Sequence, residues 1–130
     1  MVRSYHVIIS IDVENNKDVF DKEVSDGVSC LAFGTIQEIG SEPLVVAGGN
    51  CSITGFDLQG DERFWTVTGD NANTLQFMDW DDDGQEELLV GSDDFSIRVF
   101  KGEELIHDIN EQSKIQYIKK INKQIFAYSL

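Results

Sequence analysis

The stretch Asp79-Trp80-Asp81-Asp82-Asp83-Gly84-Gln85-Glu86-Glu87 sets carboxylates at alternate positions ahead of a glycine and closes on a further acid. Such spacing lets Asp79, Asp81 and Asp83 turn their side-chain oxygens toward one point. Gly84 permits the tight turn, Gln85 offers its backbone carbonyl and Glu87 adds a carboxylate. An all-oxygen donor set suits a hard cation, so these five residues are the candidate ligands of a structural Ca²⁺. Two like unit charges about 4 Å apart repel by about 4 kcal/mol at an effective dielectric of about 20. Gathered acids therefore favour either a bound cation or a splayed, solvated turn in which Asp and Gly serve only as turn formers.

The loop is not an EF-hand, because its twelfth position is Val90 instead of a bidentate Glu and its flanks read as strands instead of helices. It is similar instead to the Ca²⁺ hairpin of integrin-type propeller repeats. Trp80-Asp81 spells a Trp-Asp dipeptide, but no Gly-His precedes it at blade spacing, so the WD40 signature is absent. Trp65 and Trp80 are read as packing residues.

Catalytic chemistry is not expected. His6 and His107 are remote from any nucleophile motif and fall in candidate strands. No G-x-S-x-G, phosphate-binding glycine loop or zinc-spaced Cys/His set occurs. Gly48-Gly49-Asn50 and Gly69-Asp70-Asn71 are turn chemistry that supplies positive φ between strands. The chain is read as a non-enzyme with no catalytic residues.

What must position the acidic loop is a set of short strands. Helical periodicity is nearly absent, whereas alternating apolar stretches bounded by Gly, Asn and Asp recur along all 130 residues. Twelve strands are expected, near Tyr5 to Asp12, Val19 to Val24, Val28 to Thr35, Leu44 to Gly48, Ser52 to Asp57, Phe64 to Thr68, Asn73 to Trp80, Glu87 to Gly91, Ser96 to Phe100, Glu104 to Asp108, Ile115 to Ile121 and Ile125 to Leu130.

An internal repeat organises these strands. At a constant offset of 44, Leu31, Phe33, Gly40, Glu42, Leu44, Val46, Ser52, Ile53 and Phe56 meet Leu75, Phe77, Gly84, Glu86, Leu88, Val90, Ser96, Ile97 and Phe100 without a gap. A period of about 40 to 45 residues carrying four strands is the signature of a β-propeller blade. The expected fold is thus all-β: a partial β-propeller, with residues 1–27 an outer half-blade, 28–71 a blade, 72–112 a blade with the acidic loop, and 113–130 an inner half-blade. Phe77, Leu88, Val90 and Ile97 are the expected blade core. The acidic turn is an addition to the blade's minimum, since the equivalent positions one repeat earlier are Thr35, Gln37 and Ile39. Propellers close with about four or more blades, so the chain reads as part of a longer protein. Its open faces favour self-association, the outer half-blade of one copy pairing with the inner half-blade of the next.

Ten basic against twenty-four acidic side chains give a net charge of −14, which excludes a phosphate-tracking nucleic-acid binder. With 41% hydrophobic residues the chain is too apolar for a disordered acidic tail. Proteins and cations are the expected partners, not nucleic acid or anionic membrane. No apolar run approaches the roughly 18 residues of a membrane span, the first residues lack a signal-peptide layout, and an intracellular chain is expected. Cys30 and Cys51 lack C-x-x-C spacing and are read as buried, reduced thiols.

One passage carries a specific resemblance. Gly48-Gly49-Asn50-Cys51 with Gly55-Phe56 leads into Phe64-Trp65-Thr66-Val67-Thr68-Gly69-Asp70-Asn71, then through the acidic loop into Glu87-Leu88-Leu89-Val90-Gly91-Ser92, Asp94-Phe95 and Ile97-Arg98-Val99-Phe100. Upstream, Asn15-Asn16-Lys17-Asp18 and Glu23-Val24-Ser25-Asp26-Gly27 fit the same pattern. These residues resemble the amino-terminal β-propeller of the Bardet-Biedl syndrome protein two family. The segment from Ser113 to Leu130, with Lys114, Lys119, Lys120 and Lys123, departs most. The resemblance implies a subunit of the BBSome, the coat-like complex that carries membrane proteins into and out of cilia. It also implies partners among the sibling Bardet-Biedl proteins, seven and nine foremost, a ciliary membrane-protein cargo, and a place in the cytoplasm, cilium and basal body. The competing function is an integrin-like calcium-dependent recognition module, which would call for more acidic loops, a secretion signal and disulfides.

Overall fold

A computed structural model describes residues 7–129, and among the described residues every regular element is a strand. In chain order these are β1 (Val7–Asp12), β2 (Lys17–Glu23), β3 (Cys30–Gly34), β4 (Leu44–Gly48), β5 (Ser52–Phe56) and β6 (Glu62–Val67). There follow β7 (Ala72–Met78), β8 (Glu87–Ser92), β9 (Ser96–Lys101), β10 (Glu104–Asn110), β11 (Ile115–Ile121) and β12 (Gln124–Ser129). All twelve expected strands are present, and the ends move by up to two residues. His6 and Leu130 lie outside the described residues.

The strands form four antiparallel sheets, β1-β2, β3-β4-β5-β6, β7-β8-β9-β10 and β11-β12, each a chain of sequential hairpins. Local chemistry sets the turns. Lys101 pairs with Glu104 and Ile121 with Gln124, leaving two-residue connections that open on Gly102 (φ 62°) and Asn122 (φ 55°). Positive φ at that place gives the turn the twist that matches the flanking strands.

Alternation along each strand then builds a core between each sheet and the next. Ile8, Val24 and Phe20 pack on Ala47 and Phe56, joining β1-β2 to the second sheet. Leu44, Val46, Ile53 and Phe64 meet Leu75, Phe77, Leu88, Val90 and Phe100, joining the second sheet to the third. Leu89, Ile97 and Val99 meet Ile115 and Ile118, joining the third to the last. Sheets stacked face to face in chain order, with β3, β7 and β11 side by side around an open trough, make a partial β-propeller.

The repeat is visible as contact. Ile118 N donates to Thr74 Oγ1 at 3.1 Å and Lys120 N to Gln76 Oε1 at 3.4 Å, each pair separated by the repeat length of 44. Inner strands approach this closely because a small residue stands at the crossing. A Cβ placed on Gly91 would lie 2.5 Å from Ile115 and 2.7 Å from Thr74.

One pair of repeat mates diverges, and three expectations are corrected. Leu75 and Phe77 are buried, but their repeat mates Leu31 and Phe33 are 53% and 61% exposed. The reason is the neighbour: a four-stranded sheet covers β7, whereas the two-stranded β1-β2 sheet covers Val45, Ala47 and Phe56 and stops short of β3. Ile97 is buried as expected but on the opposite face from Phe77, Leu88 and Val90, because it pairs with Gly91 across the β8-β9 ladder. Cys51 is exposed in a turn at φ 60°, while burial pushes the half-buried Cys30 thiol up to about 11; both thiols are free. Trp65 is 49% exposed on β6, so only Trp80 packs against a core.

Candidate metal centre

The acidic loop connects β7 to β8 at the edge where the third sheet meets β11-β12. It is shaped by its own carboxylates. Asp79 Oδ1 accepts the Asp83 N–H at 3.1 Å and Oδ2 the Gly84 N–H at 2.9 Å, while Asp83 Oδ1 accepts the Gln85 N–H at 2.8 Å. These short-range bonds replace the ladder bonds that a continuous strand would have made. Asp82 and Gly84 take positive φ, 61° and 85°, and nothing lies within 4 Å of a Cβ built on Gly84, so that glycine answers to backbone conformation and not to crowding.

The result is convergence. One carboxylate oxygen each from Asp79, Asp81, Asp83 and Glu87 lie within 4.8 Å of one another. Gln85, the fifth expected ligand, stands in the exposed part of the same turn. Glu87 differs from the three aspartates in being buried. As the first residue of β8 it turns toward the core shared with β11-β12, and its Oε2 accepts the Trp80 N–H at 2.6 Å. Its Oε1 is buried and accepts no hydrogen bond. Burial raises the Glu87 carboxyl above the ordinary glutamate value; the Trp80 N–H opposes that shift, and the charges of Asp81 and Asp83 add to it.

An unsatisfied buried carboxylate oxygen facing three acids is a costly arrangement that a cation would relieve. Four carboxylates and the nearby Gln85 backbone carbonyl supply only oxygen, the donor type that Ca²⁺ takes.

Sequence reasoning missed one member of the cluster. Lys101, the last residue of β9, places Nζ 2.9 Å from Asp83 Oδ2, 3.3 Å from Asp81 Oδ2 and 3.9 Å from Glu87 Oε1. The hydrogen bond from Lys101 holds the Asp83 carboxyl below its usual range, and the same contacts raise the Lys101 ammonium. The signal was available: antiparallel pairing of Leu88 with Phe100 sets Lys101 beside Glu87. Lys120 flanks the loop, 3.6 Å from Glu86. His107 is exposed on β10, its ring 5.5 Å from that of Trp80.

Comparison with known proteins gives one consistent result. Residues 74–130, including the lysine-bearing final segment, match the family model described as the ciliary BBSome complex subunit 2, middle region. The chain is 45% identical over 123 residues to the BBSome complex member BBS2 of Homo sapiens, covering 95% of this chain and 17% of that protein. It is 44% identical over 130 residues to the Danio rerio protein of that name, covering 100% of this chain and 18% of the relative. To the BBSome complex member bbs-2 of Caenorhabditis elegans it is 43% identical over 123 residues, 95% of this chain and 17% of that protein. The chain thus spans under a fifth of the length of these relatives. Identity at this level along almost the whole chain, on sheets stacked as partial propeller blades, makes the chain similar to a segment of the BBSome subunit 2 family.

Proposed function

We propose that this chain is a non-enzymatic scaffold segment of a BBSome subunit, acting through protein-protein contacts in the traffic of ciliary membrane proteins. The observation that carries the reading is 44 to 45% identity to BBSome complex members along 95 to 100% of this chain, borne on stacked sheets with exposed apolar faces. Exposed Leu31 and Phe33 at one end of the stack, and Leu105, Phe126 and Tyr128 toward the other, are surfaces that further blades or sibling subunits cover. Residues 1–27 and 113–130 act as outer and inner half-blades in this reading. A charge of −14 selects basic surfaces on its partners, among which Bardet-Biedl proteins seven and nine stand first. Cytoplasm, cilium and basal body are the corresponding locations. The relatives favour this scaffold over a calcium-dependent recognition module.

The same reading gives the acidic loop a structural role. Asp79, Asp81, Asp83 and Glu87 hold Ca²⁺ through carboxylate oxygens, with Gln85 contributing its backbone carbonyl, and the ion fixes the β7-β8 connection against β11-β12. The buried, unbonded Glu87 Oε1 supports this role beyond the acidic composition.

Complementation tests the scaffold function. In ciliated cells lacking the endogenous subunit, the full-length parent should restore membrane-protein content in cilia, and the parent without residues 28–112 should not. Normal ciliary content with the deleted form would overturn the proposal.

A further inference from the structure

The ammonium of Lys101 already stands where the acidic loop gathers its charge. It reaches hydrogen-bond distance of Asp81 and Asp83, at 3.3 and 2.9 Å, and comes within 3.9 Å of the buried Glu87 Oε1. Lys101 arrives from a different hairpin than the four acids and is fixed at the strand end by the turn at Gly102. We propose that Lys101 is the loop's built-in counter-cation, which a divalent ion must displace, so that Lys101 sets the Ca²⁺ concentration at which the site fills. The inference rests on the reading of the loop as a Ca²⁺ site.

Three observations carry it. The lysine is close enough to occupy the space between the carboxylates, so ammonium and ion exclude one another. It is an incomplete substitute: one positive charge faces four acids, and Glu87 Oε1 remains without a hydrogen bond. It is free to leave, because its side chain is 33% exposed and sits on a flexible four-carbon stem. An ammonium offers three donors to at most a few oxygens, whereas Ca²⁺ accepts six to eight oxygen ligands. The lysine-filled state is therefore stable without metal and yields to it.

Displacement has a quantitative signature. When only a fraction of molecules has the site clear, the apparent dissociation constant rises by the inverse of that fraction. If Lys101 fills the loop in nine molecules of ten, its removal tightens Ca²⁺ binding about tenfold. Calorimetric titration of Ca²⁺ into the full wild-type chain, Lys101→Met and Lys101→Arg provides the test. Lys101→Met should bind about tenfold more tightly or more, and Lys101→Arg, which keeps the charge, should stay closer to wild type. Binding by Lys101→Met but not by wild type would be the same result at a stronger degree of occlusion. Equal or weaker binding by Lys101→Met would overturn the role of Lys101 and leave the site standing. Absence of binding to both folded proteins at millimolar Ca²⁺ would overturn the site and the inference together. Should Lys101→Met fail to fold, the side-chain NMR signal of Lys101 in wild type decides. It should shift as Ca²⁺ is added, and a signal that stays put while Ca²⁺ binds would overturn the displacement.

Discussion

Phe33 and Phe77 occupy the same place in successive repeats, and their different surroundings provide a test with an internal control. Phe77 is 4% exposed, its ring set against the β3 backbone at Gly34 and shared with Leu44, Val46 and Phe64 of the neighbouring sheet. Removing a buried aromatic ring sacrifices its transfer energy and leaves a cavity, so Phe77→Ala should cost about 3 to 5 kcal/mol. Phe33 is 61% exposed. Of the roughly 200 Å² that a Phe can bury, it has lost well under half to its neighbours, and at about 25 cal/mol per Å² Phe33→Ala should cost about 2 kcal/mol with no cavity term. The gap of about 1 to 3 kcal/mol corresponds to about 4 to 12 °C in Tm at about 4 °C per kcal/mol. Urea and thermal unfolding of both variants, at matched protein concentration, measure it. Costs equal within about 0.5 kcal/mol would refute the assignment of a covered face to β7 and an open face to β3.

Other outcomes follow from the same coordinates. Val90→Asp should leave the chain insoluble or unfolded, because Val90 is wholly buried between the second and third sheets and an unpaired charge there has no partner; a soluble variant with a cooperative melt would contradict that placement. Adding millimolar Ca²⁺ should raise the Tm of the wild-type chain, and Asp81→Ala with Asp83→Ala should abolish the rise; an unchanged wild-type curve would reduce the loop to a solvated turn. Arg98 bonds to Asp94 and holds its carboxyl below the ordinary value, so this pair stabilises the fold above about pH 4 and the contribution fades as pH falls through the lowered value. Asp94→Asn should therefore cost about 1 kcal/mol at pH 7 and little at pH 2, as urea midpoints at the two pH values would show; an equal loss at both would deny the linkage. At tens of micromolar the isolated chain should scatter light as more than one copy, and Leu31→Glu with Phe33→Glu should return it to a monomer; a wild-type monomer at that concentration would remove the pairing of half-blades between copies.

Much of this architecture could be read from residue order. Strand positions were legible because apolar alternation has a period of two and the turns carry Gly and Asn where φ must be positive, as at Gly102 and Asn122. The two-four-four-two grouping followed from the 44-residue offset, and the four carboxylates of the loop from their alternate spacing. What escaped depends on neighbours and not on the strand itself. Leu31 and Leu75 look alike in sequence, and only the extent of the adjoining sheet makes one exposed and the other buried. Ile97 pointed to the wrong face because ladder pairing with Gly91, and not its own spacing, fixes its side. Lys101 escaped because it lies fourteen positions after Glu87 and joins the loop only through the β8-β9 register.

The central claim, a scaffold segment of a BBSome subunit, is tested most directly by what the full-length parent holds in ciliated cells. Affinity purification of the tagged parent followed by quantitative mass spectrometry should recover the other Bardet-Biedl subunits in near-equal amounts. Their absence from a soluble, well-expressed bait would contradict the account and leave the chain with the family's fold alone.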